Sequence, residues 1–185
     1  MLSAWNSYYV MMGSSAAALT GLVFIVVTLI NDTRTRTSED GLSTFTTPTV
    51  FHFCCVLFTS AVMAAPFPSL IPVAVALGVA GVAGIAYVVR VAIRTSKLSS
   101  YRADAEDWTW NVALPLVAYV TVLIGAFTLN AAAIAIYAPG AAVALLILIG
   151  IHNAWDVVTF LATGKAEQLP DPPAQAPAAK KPRES

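Results

Sequence analysis

Three tracts of this chain contain no Asp, Glu, Lys or Arg: residues 1–31, 41–89 and 108–155, which are 31, 49 and 48 positions long. A small water-soluble domain cannot hide tracts of that length, because it shows most of its residue types to solvent. Hydrophobic residues make up 58% of the 185 positions and charged residues 11%, an excess that points the same way. The tracts face lipid, and the chain reads as an all-α integral membrane protein. A β-barrel would show segments of about ten residues with alternating polarity, whereas these are continuous apolar runs.

A hydrocarbon core of about 30 Å takes roughly 20 helical residues. The first tract is therefore one crossing, and each of the others is long enough for two. Each long tract has a breaker near its middle, Pro66-Phe67-Pro68-Ser69 in one and Pro139-Gly140 in the other, where prolines remove backbone donors and restrict the residue before them. The sequence thus predicts a five-transmembrane-helix bundle with spans at 7–30, 48–65, 70–92, 115–137 and 141–162. Thr47 is placed to cap a helix whose first residue is Pro48, and Pro115 suits the first turn of the fourth span.

Five crossings place the loop at 31–47, the segment at 90–114 and the tail from 163 on one side. All ten Lys and Arg residues lie there: Arg34, Arg36, Arg90, Arg94, Lys97, Arg102, Lys165, Lys180, Lys181 and Arg183. The positive-inside rule then gives N-terminus out and C-terminus in. The first span lacks the basic region and short apolar core of a cleavable signal, so it is expected to stay as an anchor. Trp5, Tyr8, Tyr9 and Tyr137 fall near the outer boundary and Tyr101, Trp108 and Trp110 near the inner one, as amphipathic rings do at headgroup level.

Little mass remains outside the bilayer. Residues 94–111 form either a wetted connector or a short surface helix with Tyr101, Ala105 and Trp108 on one face and an Arg102–Glu106 pair. Residues 164–185 are Pro- and Ala-rich and are expected to be a disordered cytoplasmic tail. Ten acidic and ten basic residues cancel, so nothing suggests a nucleic-acid partner. The expected partners are the lipid bilayer and a second membrane protein or further copies of this chain.

Lipid tails are as apolar as Leu, so helices in a bilayer associate through close backbone approach and side-chain hydrogen bonds. Small residues at spacing four mark candidate packing faces: Gly13, Ala17 and Gly21 in the first span, and Ala76, Ala80 and Gly84 in the third. Such stripes serve contacts within one bundle or between subunits.

The last span is the unusual one, reading His152-Asn153-Ala154-Trp155-Asp156. Asp156 falls about 6 Å toward the cytoplasm from His152 and on the same face. A carboxylate at membrane depth needs a partner, water or a proton. Arg90 at the end of the third span and His52 in the second sit at similar depth. The sequence therefore gathers His52, Arg90, His152, Asn153 and Asp156 into a candidate intramembrane polar cluster. One reading is a knot that locks three helices together. Another is a route for a proton, ion or small solute, extended by Thr59, Ser60 and Thr159. A metal site is a weaker third, since the residues show no short ligand motif. Adjacent Cys54 and Cys55 point about 100° apart and act as small buried residues.

No nucleophile elbow, phosphate-binding glycine loop or zincin motif occurs, so the expectation is a non-enzymatic protein with neither cofactor nor metal. The runs Ala16-Ala17-Ala18-Leu19-Thr20-Gly21-Leu22-Val23-Phe24 and His152-Asn153-Ala154-Trp155-Asp156 resemble a group of small uncharacterised bacterial multi-pass membrane proteins. That resemblance implies a bacterial inner-membrane location and carries no reaction, substrate or partner. Two functions are weighed: association through helix faces, as a homo-oligomer or small subunit, and a channel or transporter lined by His52, His152 and Asp156.

Overall fold

The computed structural model describes residues 2–33, 39–97, 105–131 and 133–166. Within them every regular element is helical: α1 (Leu2–Thr33), α2 (Glu39–Ala64), α3 (Leu70–Lys97), α4 (Ala105–Trp108), a π-helical turn (Thr109–Ala113), α5 (Leu114–Thr128), a 3₁₀ turn (Ala133–Ile136) and α6 (Tyr137–Ala166). Four segments are long and apolar enough to cross a membrane: Ala4–Thr28, Leu70–Ser96, Thr109–Thr128 and Ile134–Thr159. The fifth helix, α2, adds the shorter apolar stretch Pro48–Ala64. The protein is a multi-pass membrane protein.

Contacts order the bundle. α1 packs chiefly on α2, α3 chiefly on α5, and α6 lies against both α2 and α5, so α3 and α6 are not neighbours. α2 carries the shortest of the apolar stretches. Thr49, His52, Phe53, Val56, Thr59, Ser60, Val62 and Met63 of α2 are all buried, at spacings that keep one broad face toward other helices. Four of these carry polar atoms, which lipid would not tolerate unpaired.

Glycines set the close approaches. A Cβ at Gly84 of α3 would lie within the Tyr119 ring of α5, and one at Gly150 of α6 would stand 2.7 Å from Phe53 Cζ of α2. At the end of the bundle holding the α1 N-terminus, Trp5 meets Tyr137 edge to face at 4.8 Å and Tyr8 at 5.3 Å, an arrangement that suits the ring quadrupole. The Tyr8 hydroxyl donates to the Gly140 carbonyl at 2.7 Å.

The boundaries differ from those predicted in three ways. α2 starts at Glu39 and carries Pro48 inside it, so Thr47 does not cap a new helix. The ring costs only the bond to the carbonyl four residues back, and the helix runs through it. The second reversal comes ten residues earlier than Pro139-Gly140, around Leu129–Ala131, where the Ala131 amide donates to Thr128 at 2.8 Å. Pro139 instead sits in the first turn of α6, where a missing amide is harmless, and its ring packs on Gly125 of α5. The sequence mistook a helix-start proline for a breaker. Third, α1 and α3 both run past the predicted ends. Tyr101, Arg102 and the tail from 167 lie outside the described residues.

Candidate functional site

The structure divides the polar residues into two centres. The inner one is built on α2. His52 is 1% exposed, and its Nδ1 lies 2.8 Å from the hydroxyl of Tyr119 on α5. With the proton on Nε2, the ring accepts from that hydroxyl. Phe51 stacks on Tyr87 of α3 with ring centroids 3.9 Å apart and planes 18° apart. One face of α2 thus ties α3 and α5 together through aromatic and polar contacts.

The outer centre lies at the end of α6 and on the π-helical turn. Trp110 stacks flat on His152, centroids 3.7 Å apart and planes 7° apart. An extra residue in a helical turn re-aims the side chains on it, and here that brings the indole over the imidazole. Asp156 Oδ2 stands 3.1 Å from His152 Nδ1, and Glu106 Oε1 stands 3.8 Å from Nε2. The first approach is too oblique for a hydrogen bond, so both carboxylates act on this ring as charges, effective when it is protonated. Behind the ring, the buried Asn153 Nδ2 donates to the side-chain Oδ1 of Asn111 across 3.4 Å.

The five residues grouped from sequence do not meet at one point. His152 and Asp156 come together, and Asn153 lies behind them. His52 faces Tyr119 instead of α6. Arg90 is exposed on α3 and makes no ion pair with Asp156, because α3 and α6 are separated by α2 and α5. Asp156 keeps 60% of its side chain exposed, so the other helices of the bundle do not bury it. Its place at the span end lets it turn outward.

Three participants were missed. Tyr119 is the single tyrosine of α5, and a buried Tyr needs a partner for its polar tip, which could have flagged it. Trp110 read as a boundary anchor, and its partner depends on a π turn that no local pattern announces. Glu106 was assigned to Arg102.

The small-residue stripes divide as well. Gly84 and Ala80 are buried and Ala76 half-buried, on the side of α3 where Gly78, Gly81 and Gly84 meet Ala126, Leu123 and Tyr119 of α5. On α1, Gly13 is buried with its Cα side 3.1 Å from Ser60 Cβ for an added methyl, whereas Ala17 and Gly21 are exposed. Spacing four advances about 40° per step on a helix of 3.6 residues per turn, so the stripe winds from the α2 contact to the outer surface.

Among the described residues no group of three or more His, Cys, Asp or Glu is disposed to hold a metal ion. No protein family, curated protein or solved structure matches the chain.

Proposed function

We propose that this protein is a five-span protein of the bacterial inner membrane, N-terminus out and C-terminus in, that works without catalysis by helix-face association, as a homo-oligomer or as a small subunit of a membrane complex. The observation that carries this reading is the outward face of α1. Ser7, Val10, Ser14, Ala17, Gly21, Phe24 and Thr28 are all exposed, and they recur at steps of three and four. Ser7, Ser14, Gly21 and Thr28 fall one heptad apart, a spacing that drifts only about 20° per repeat and so keeps a straight seam. Small and hydroxyl side chains along such a seam let a second backbone approach closely. Lipid has no use for that regularity.

Orientation rests on the stranding of every cation on one side. The polar-route alternative is less well supported, because His52 and His152 face different partners. Native mass measurement of the full chain in mild detergent tests the proposal. Wild type is expected as an assembly, and Ser14→Leu with Gly21→Leu is expected to shift it to single chains. A wild type that is strictly monomeric with no co-purifying protein, or an assembly indifferent to both changes, refutes it.

A further inference from the structure

A groove of about 240 Å³ opens on the side of the bundle between α1, α2 and α6. Its wall comes from Leu19, Leu22 and Val26 of α1, Thr49 and Phe53 of α2, and Ile151 and Trp155 of α6, with apolar side chains beside them. That volume is below the roughly 300–1,000 Å³ of pockets built for compact ligands, so its shape suits something slender. The wall is apolar except at Thr49 and the indole of Trp155. Thr49 is 1% exposed and its Oγ1 has no hydrogen-bond partner, an arrangement that is unfavourable when left unanswered in an apolar setting.

The groove is polarised along the membrane normal. The apolar stretch of α1 ends at Thr28, that of α2 begins at Pro48, and that of α6 ends at Thr159, so these three positions share one boundary of the bundle. Thr49 lies one residue inside that boundary. Leu19, Phe53 and Ile151 lie deeper. A hydroxyl donor at the headgroup end and hydrocarbon below it match an amphiphile whose carbonyl sits at the boundary and whose chain points to the bilayer centre.

We infer that the groove seats one acyl chain of a membrane phospholipid, with Thr49 donating to its ester carbonyl. The surrounding solvent supplies that molecule at high concentration. The seat lies beside the outward seam of α1 and does not use its residues, so it stands apart from the proposed association.

The test uses the full chain in mild detergent, with dioleoyl phosphatidylethanolamine or its ether-linked analogue, which lacks the ester carbonyl. Native mass spectrometry counts lipid retained per chain. Wild type is expected to keep one ester lipid and to prefer it over the ether lipid by roughly three- to tenfold, the worth of one net hydrogen bond. Thr49→Val keeps the branched shape and is expected to erase that preference. Leu22→Trp fills the groove from its open side, where residue 22 is 58% exposed, and is expected to release both lipids while the helical circular dichroism is unchanged. Wild type that retains no lipid, equal retention of both lipids, or a preference that survives Thr49→Val overturns the inference.

Discussion

The tightest contact in the bundle makes its sharpest prediction. Replacing Gly84 by Ala places a methyl within the Tyr119 ring, against Cγ, Cδ1 and Cε1. The ring is 1% exposed, with His52 at 5.7 Å and Phe51 at 6.3 Å between centroids, so it cannot retreat without pushing α3 and α5 apart. Overpacking of that kind costs about 1–3 kcal/mol. Displacing the ring also breaks the 2.8 Å contact between the Tyr119 hydroxyl and His52, and a buried group left unpaired costs about 1–3 kcal/mol more. Gly84→Ala is therefore expected to destabilise by about 2–6 kcal/mol, read by titrating SDS into mild detergent and following helicity. The same substitution made on Tyr119→Ala should cost under about 0.5 kcal/mol, because the methyl then has room, and the double-mutant cycle isolates the coupling. A loss that is equal in both backgrounds would refute the ring contact as its cause.

Gly150→Ala is expected to lose about 1–3 kcal/mol in the same titration, since its methyl meets Phe53 and separates α6 from α2. Asp156→Asn should change stability by about 0.5 kcal/mol or less, because the carboxylate is largely exposed; a large loss would show it to be buried against a partner. His152→Ala is expected to lose about 0.5–1.5 kcal/mol of stacking on Trp110 and His152→Phe to recover most of it, measured by thermal unfolding in detergent. Arg90→Gln should leave the stability cost of Asp156→Asn unchanged, since the two side chains do not meet, and the paired variants measure that independence.

The class of the fold was written in the charge-free tracts, and the first reversal falls at the Pro66–Pro68 punctuation. The second reversal was not legible, because proline is both a breaker and a favoured first-turn residue, and only packing on Gly125 shows which role Pro139 takes. The candidate site was half legible. The i,i+4 relation of His152 and Asp156 follows from helix geometry, whereas the pairing of helices that brings Tyr119 to His52 and keeps Arg90 from Asp156 is a matter of bundle topology. Matching depth in two spans says nothing about which helices are adjacent.

The polar residues of α2 also bear on how the chain enters the membrane. Its stretch from Pro48 to Ala64 spans about 26 Å and carries Thr49, His52, Thr59 and Ser60, so alone it would partition poorly from the translocon into lipid. α1 covers only one side of it, and Tyr119 and Gly150, which meet His52 and Phe53, are synthesised much later. A nascent chain stopped after α3 would hold the His52 imidazole without the Tyr119 hydroxyl that donates to it. Stable insertion of α2 is therefore expected only once α5 and α6 have been made, and products truncated before them should be substrates for membrane proteolysis.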